Sequence, residues 1–474
     1  MLLLLLLSLA FARPGDVAAR TLSLDDARLL ALASNEQILI AEQDERKAAG
    51  AVTEAYAGAL PSIALQAQYS GNFKKPAFFL PSEFFGGGED SANGGENGEN
   101  SSNGPVKIEI GSDTEFAGAL RLDQTLYAFG RVGNAVKFAS IYRKMAGVGV
   151  KKAQSDVVFG VTEAYYRVLL LEKLVQIQRQ ALEQARSHFD DIQEKHTQGM
   201  ESRFALQRAE VEAKNRAPDL IRAENAMALA LQDLKRIVGI IDEENPVLVD
   251  TLGYEPMTAE MKGAWAEAEQ NRPEMRVLDL NVLGQERVLA IYKANMLPVV
   301  GAFGQVSLQG QANKDDLMAA FDENSQVSIS AGVVFSAPIF DGFRTKGKVQ
   351  QARAALLKAR FEQAQARKAI RLDVTRAVQD LQGLTREYEA QRATVELAED
   401  MFRIAETRFK SGISTQLELN DAELALNLAR TNYAETLYRY NVAVATLERA
   451  LGRTAGAATE TIESGGPRGQ EKGQ

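Results

Sequence analysis

The feature that most constrains the fold of this chain is a long internal repeat. Residues 122–239 recur without a gap 213 positions further on, so that Gly199 corresponds to Gly412. Upstream of this block, Leu60-Pro61 corresponds to Leu297-Pro298 at an offset of 237. A register this long predicts a tandem duplication of one set of structural elements. We expect a first repeat over 20–239, a linker over 240–263 and a second repeat over 264–452.

Each repeat has the same order of predicted elements. A helical run is followed by two strand-like segments, a very long helix and a shorter helix. The long helices are expected over about 132–198 and 346–411, because these stretches lack Pro and show apolar residues at steps of three and four. Such a helix is about 100 Å long, which predicts an extended antiparallel coiled array. A free coiled-coil rod is the alternative, and it leaves the strands unexplained.

Four segments of about ten residues alternate between apolar and polar side chains. They are SIALQAQYS (62–70), EFAGALRLDQ (115–124), VVGAFGQVSLQ (299–309) and QVSISAGVVFSA (326–337). A membrane β-barrel needs this alternation, although a half-buried sheet of a soluble domain shows it too. The Gly/Asn/Glu-rich segment Phe84–Pro105 must lie in water, and long external loops are typical of barrels. Because four strands cannot close a membrane barrel, several copies of the chain are needed.

The N-terminus and the composition indicate export. Residues 1–19 predict a signal peptide cleaved after residue 12 or 19, and an N-terminal membrane anchor is the alternative. The chain contains no Cys, which suits an oxidising compartment without disulfides. Its net charge of −9 argues against nucleic acid as a partner. The Gly/Glu/Thr-rich tail, residues 453–474, is expected to be disordered.

No enzyme active site is expected. His188 and His196 are the only histidines, and their polar helix predicts that they are solvated and bind no metal. No glycine-rich phosphate loop follows a strand, and no set of nucleophile, histidine and acid can be assembled. We therefore predict no cofactor and no metal.

Three motifs carry a family resemblance. They are FSAPIFDGFR (335–344), its counterpart LDQTLYAFGR (122–131) and RFKSGISTQLELNDAELAL (408–426). In this order the chain resembles the TolC-like outer-membrane efflux proteins of Gram-negative bacteria from about residue 21 to 453. There are departures. Thr125 stands where the second repeat has Pro338, and the usual glycine pair after the strands reads Phe129-Gly130 and Gly342-Phe343.

The resemblance implies an α+β homotrimer. Its membrane β-barrel has four strands per chain and twelve in the trimer, continuous with a long α-helical coiled-coil tunnel in the periplasm. It implies an exit duct in the outer membrane for tripartite efflux or type I secretion. Its partners would be outer-membrane lipid, a periplasmic adaptor protein and an inner-membrane transporter of RND or ABC type. The exported substrate stays open. The alternative is a periplasmic coiled-coil scaffold or adhesion protein without a pore.

The resemblance also implies site residues at the ends of the long helices. Glu418 and Asp421 match an Asp-x-x-Asp pattern that often faces the pore at its narrowest point. The alternative for them is a solvated acidic helix start, which the helix dipole favours. Position and resemblance also make four tip residues candidates for adaptor docking: Gly199, Met200, Gly412 and Ile413. A basic residue that latches the tips in the family is replaced here by Ser414.

Overall fold

The computed structural model describes residues 21–75, 77–80, 106–109, 113–241, 244–257, 261–312 and 325–453. The predicted signal peptide, the loop Phe84–Pro105 and nearly all of the predicted tail lie outside these residues. The described chain is mainly helical, with one larger sheet and two short strand pairs. Each described helix is too short or too polar to serve as a transmembrane span.

The helices repeat in length as well as in order. In the first half they are α1 (Leu24–Ser34), α2 (Glu36–Ala57), α3 (Arg131–Thr197) and α4 (Arg203–Val238). In the second half they are α5 (Met261–Asn271), α6 (Pro273–Ala294), α7 (Arg344–Lys410) and α8 (Gln416–Leu451). Both halves give lengths of 11, 22, 67 and 36 residues. The predicted long and short helices are confirmed, and a tandem duplication as their origin stays a prediction.

Each initial helical run is broken once. Asn35 ends α1, and its side chain holds the break by donating to the backbone oxygen of Ile237 at 2.9 Å. In the second half, Pro273 opens α6, a position where its missing N–H is not needed. The glycines that end α4 and α8 lie close to these breaks, Gly239 to the break between α1 and α2 and Gly452 to the break between α5 and α6. A Cβ on Gly239 would lie 2.5 Å from Ser34 Oγ, and one on Gly452 would lie 2.7 Å from the backbone of Asn271.

Two compact units cut across the predicted repeats. Of the described residues, the first unit contains those within 21–49, 141–285 and 355–453, and the second contains those within 50–140 and 286–354. The core of the first unit uses the same helix positions in both halves. Val161 and Val374 are fully buried, as are Leu234 and Leu447, and each pair is separated by 213 residues.

The second unit is built on an antiparallel sheet of four strands. The strands are β2 (Ser62–Gly71), β5 (Thr114–Tyr127), β7 (Val299–Ala312) and β8 (Ser325–Ser336), paired in the order β2-β5-β7-β8. These are the four predicted strands. The register places most of the large apolar residues of all four strands on one face, with Leu65, Leu120, Val306 and Ile329 in a single row. The adjacent row on the other face is Gln66, Ala119, Ser307 and Ser328.

Where β5 and β8 lead into the long helices, the backbone enters the left-handed region. Phe129 and Gly130 have φ of 48° and 82°, and Gly342 and Phe343 have φ of 68° and 64°. Both residues of each pair therefore adopt a conformation that suits glycine. A β-bulge between Thr125 and Tyr127 comes just before the first pair.

Two short strand pairs were not predicted. In the first unit, β1 (Thr21–Leu22) pairs in parallel with β6 (Val247–Leu248), which lies in the predicted linker. In the second unit, β3 (Ala77–Leu80) pairs with β4 (Val106–Glu109), and these strands flank the Gly/Asn/Glu-rich loop. The linker also ends earlier than expected, because α5 already begins at Met261.

Candidate functional site

The long helix of each half ends in the same hydrogen-bonded turn. After α3, the Gly199 N–H donates to the His196 oxygen at 3.0 Å and the Met200 N–H donates to the Lys195 oxygen at 2.9 Å. This pair of bonds is a Schellman motif, which satisfies carbonyls that the helix leaves free. Gly199 has a φ of 75°, the left-handed conformation that the C′ position of this motif requires.

The second turn repeats the first bond for bond. After α7, the Gly412 N–H donates to the Phe409 oxygen at 3.0 Å and the Ile413 N–H donates to the Arg408 oxygen at 2.9 Å. Gly412 has a φ of 73°. Apart from the residues directly flanking each glycine, no heavy atom of the described residues lies within 4 Å of a Cβ built on Gly199 or Gly412. Their backbone conformation therefore requires glycine, whereas the space around them does not.

The residue after each glycine projects an apolar side chain into solvent. Met200 is 65% exposed and Ile413 is 72% exposed. In a Schellman motif this position frequently packs back onto the end of the helix, and here it stays open. The four predicted tip residues thus form two similar surfaces, each made of a glycine and an exposed apolar side chain.

Helices α4 and α8, which follow the two turns, each begin with a side-chain cap, and only α8 has an acid in its first turn. Ser202 Oγ accepts from the Ala205 N–H at 3.1 Å, and Thr415 Oγ1 accepts from the Glu418 N–H at 3.3 Å. Glu418 therefore occupies the third position of α8, where a carboxylate interacts favourably with the helix dipole. The equivalent positions of the first half hold Ala205 and Arg208 instead of Glu418 and Asp421.

Glu418 and Asp421 lie on a solvent-facing side of α8. Both are exposed, whereas Leu419 and Ala422, which follow them directly, are buried. Ser414 Oγ donates to Glu418 Oε2 at 2.5 Å. The side chain of Asp421 has no hydrogen bond or ion pair with any residue that the structure describes. Glu418 thus takes part in the helix start, as the alternative interpretation requires, while Asp421 has no such local role.

The hairpin formed by α3 and α4 packs against the hairpin formed by α7 and α8 close to their turns. The His188 ring of α3 lies edge-on to the Phe409 ring of α7, with 4.9 Å between centroids, and Lys195 Nζ lies 5.2 Å from the same ring. Burial lowers the pKa of the His188 imidazole. Both histidines were predicted to be solvated, which is wrong for His188: it is part of the hairpin contact because Phe409 covers it. His196 Nδ1 lies 2.7 Å from the Glu201 oxygen within the first tip.

A buried carboxyl group joins the two hairpins further along. Glu423 of α8 is buried, and its Oε1 lies 4.0 Å from Arg216 Nη2 of α4. Arg216 also contacts Glu212 at 3.7 Å, and Glu212 accepts a hydrogen bond from the Asn420 side chain. Burial raises the pKa of the Glu423 carboxyl, Arg216 opposes this effect, and Glu212 adds to it. Sequence reasoning missed this cluster, because nothing in the pattern distinguishes Glu423 from the exposed acids around it.

A second missed feature fixes the linker to the helices. Tyr254 of the linker stacks on Tyr388 of α7, with 4.0 Å between centroids and 9° between ring planes, and lies 4.6 Å from the Tyr440 ring of α8. The Tyr440 hydroxyl donates to the Glu255 oxygen at 2.8 Å. The available signal was weak, because the linker and α7 each contain one tyrosine and only α8 contains several.

The described residues hold no group of three or more His, Cys, Asp or Glu side chains that could bind a metal ion. The candidate site is therefore built from helix ends, exposed carboxylates and apolar tips. Such groups can attract ions and bind another protein.

Several known proteins resemble this chain in sequence. The sequence model described as "Outer membrane efflux protein" matches residues 28–240 and 265–453. Protein CyaE of Bordetella pertussis is 23% identical over 342 residues, covering 71% of this chain and 71% of CyaE. Alkaline protease secretion protein AprF of Pseudomonas aeruginosa is 21% identical over 338 residues, covering 70% of this chain and 68% of AprF.

A solved structure shares the fold. The Campylobacter jejuni CmeC outer membrane channel superposes with a TM-score of 0.74 at 16% identity, covering 93% of this chain and 88% of that one. At this identity the likeness concerns the fold alone.

Proposed function

The chain belongs to the outer membrane efflux protein family, and from this we propose how its described parts work as a channel. Family membership makes it an outer-membrane channel of an efflux or type I secretion system in a Gram-negative bacterium, reaching into the periplasm. The channel expectation is thereby confirmed over the scaffold alternative. What we propose beyond it is the assembly, the gate and the docking surface.

The observation that carries the assembly is the open sheet. Within the described residues, β2 and β8 each have a neighbouring strand on one side only. In lipid, the unpaired N–H and C=O groups of such an edge would each cost several kcal/mol. We propose that β8 of one copy pairs with β2 of the next, and that three copies close a barrel of twelve strands. The apolar row with Leu65 and Ile329 then faces lipid, and the polar face lines the pore.

The native mass of the protein extracted from purified outer membranes tests this assembly. About three chain masses, in a particle that conducts ions in a planar bilayer, are expected. A monomer would leave the sheet edges open, and a dimer would provide only eight strands, so either mass would contradict the proposed barrel of twelve strands.

We propose that Glu418 and Asp421 form the gate. Three copies would contribute six carboxylates, which attract cations and repel anions. The exposure of both side chains and the missing local partner of Asp421 support this role. Because the first half has Ala205 and Arg208 instead, only the second tip of each chain would contribute acids at these two positions.

Single-channel recordings of Glu418→Gln and Asp421→Asn test the gate. Each substitution removes one charge and keeps the side-chain shape, so cation selectivity should fall in both variants and fall furthest in the double variant. Glu435→Gln is the matched control, since Glu435 is also exposed on α8 but lies 14 residues beyond Asp421. Selectivity equal to that of the control would refute the gate.

We propose that the two tips receive the periplasmic adaptor of an inner-membrane transporter of RND or ABC type. The exposed Met200 and Ile413 supply apolar contact area, and Gly199 and Gly412 let a partner approach the backbone closely. Gly412→Arg should abolish transport while the trimer stays intact, because the arginine fills the open space at the tip. Gly412→Ala is the control for backbone strain alone. Normal transport by Gly412→Arg would place docking elsewhere.

A further inference from the structure

Two phenylalanines stand at junction positions whose left-handed backbone favours glycine. Phe129 and Phe343 have φ of 48° and 64°, in the left-handed region that side chains with a Cβ avoid. They belong to junctions that match in the two repeats, but they stand on opposite sides of their glycine, as Phe129-Gly130 and Gly342-Phe343. Each junction therefore carries an aromatic residue where glycine would be relaxed.

The strain is not explained by packing in the protein core. Phe343 is 66% exposed and Phe129 is 39% exposed. Their ring contacts are with other exposed rings: Phe129 lies 4.7 Å from Tyr127, and Phe343 lies 5.4 Å from Phe340, both edge-on. Strained residues persist where another interaction offsets their cost, and a surface of exposed rings points to an interaction outside the chain.

These rings lie at the end of the apolar face of the sheet. Because of the bulge, Tyr127 pairs with Val300, which in turn pairs with Phe335 on the apolar face. Past the end of β8, the exposed side chains of Ile339 and Phe340 add further apolar surface.

The helices that follow begin with basic residues. The first turns of α3 and α7 contain no acidic residue, although acids are favoured there. Arg131 opens α3, and Arg344 and Lys346 open α7, with Lys346 Nζ 5.5 Å from the Phe343 ring. The one acid at this point is Asp341, just outside the helix, and it accepts a hydrogen bond from the Thr345 N–H at 2.9 Å. Cations directly beside exposed rings match a surface of anionic phosphates above hydrocarbon.

We propose that Phe129 and Phe343, together with Tyr127 and Phe340, bind the headgroup boundary of the periplasmic leaflet and fix the depth of the sheet in the bilayer. Aromatic side chains prefer this boundary because the ring is apolar and polarisable at once. The left-handed backbone turns the two phenylalanines out beside their neighbours, and lipid contact offsets the strain. This inference rests on the proposed membrane barrel, and it assigns a role to residues at which this chain departs from the usual glycine pair.

Depth-dependent fluorescence quenching tests the inference. Trp265 is the single tryptophan, so Trp265→Phe gives a background in which Phe129→Trp, Phe343→Trp, Ile329→Trp and Ser328→Trp are made one at a time. The trimers are placed in phosphatidylcholine–phosphatidylglycerol vesicles with bromine either beside the headgroup or near the end of the acyl chain. Phe340→Trp, on ordinary backbone, replaces either strained variant that does not fold.

The expected result is that tryptophan at 129 and 343 loses more fluorescence to the shallow bromines than to the deep ones. Ile329→Trp, in the middle of the apolar face, should show the reverse order, and Ser328→Trp, on the polar face, should be quenched least. If the junction tryptophans are quenched no more than Ser328→Trp, or mainly by deep bromines, the inference is overturned while the barrel stands. If Ile329→Trp is quenched no more than Ser328→Trp, the membrane barrel fails and the inference fails with it.

Discussion

Replacing matched glycines with alanine separates backbone strain from close packing. Gly412 and Gly452 have the same φ of 73° and both follow a helix at the left-handed C′ position or C-cap. A Cβ on Gly412 meets nothing within 4 Å, whereas a Cβ on Gly452 would lie 2.7 Å from the backbone nitrogen of Arg272 and the carbonyl carbon of Asn271. The same substitution therefore tests conformation alone at one site, and conformation together with collision at the other.

The expected magnitudes follow from these two contributions. Left-handed backbone costs an alanine about 1–2 kcal/mol, and the stiffer unfolded chain returns about 0.4–1 kcal/mol, so Gly412→Ala should destabilise by about 1 kcal/mol. At Gly452 the colliding atoms are backbone atoms of the break between α5 and α6 and cannot rotate away. Overpacking adds about 1–3 kcal/mol there, so Gly452→Ala should cost about 2–4 kcal/mol in all.

The assay is urea unfolding of the detergent-solubilised protein, followed by far-ultraviolet circular dichroism for both variants and the parent. Gly239→Ala should fall between them, because its Cβ would meet the side-chain Oγ of Ser34, which can rotate. Equal losses at Gly412 and Gly452 would refute the reasoning, since the close approach at Gly452 would then not exist. A small loss at Gly412 also means that a transport defect there reports docking, not misfolding.

Two further predictions concern charge. Burial raises the pKa of Glu423 above its ordinary 4.5, so the folded protein binds a proton that the unfolded chain releases, and stability falls as pH rises from 4.5 through the raised value. Glu423→Gln should therefore raise the melting temperature near neutral pH and make no difference below about pH 4.5. If the difference in melting temperature between the variant and the parent stays the same at every pH, the burial of this charge is contradicted. Ile329→Arg should lower the yield of folded trimer in the outer membrane by placing a charge in lipid, at a cost of about 2–4 kcal/mol. Ser330→Arg, one residue on and facing the pore, is the control. Equal yields would contradict the assignment of the apolar face to lipid, and a lower yield for Ser330→Arg would mean that the two faces have been assigned the wrong way round.

The pattern of the sequence was sufficient for the larger elements. The strands were predictable because Leu65 and Ile329 belong to segments in which one face is apolar throughout. The long helices were predictable because the repeat gave two independent views of each boundary, with a glycine at both Gly199 and Gly412. Local chemistry of this kind depends on residues close together in the chain.

Features that depend on distant neighbours were not predictable. Glu423 looks like any helical acid until Arg216, more than 200 residues earlier, is placed beside it. The bulge before Tyr127 cannot be read from the alternation, since a strand pattern alone does not reveal an extra residue. The strained Phe129 was visible only as a departure from a glycine pair, and its conformation had to come from the fold.

The two tips show how one fold can hold two roles. Their turns match bond for bond, so the difference between them lies only in side chains, and it is concentrated just after the turn. Where the second tip has Asp421, the first has Arg208. If both tips carried acids, a trimer would bring twelve carboxylates together, and repulsion between like charges would oppose closure. Restricting the acids at these two positions to one tip keeps a cation-attracting ring at half that charge, while both tips keep the open glycine and exposed apolar residue that a docking partner needs.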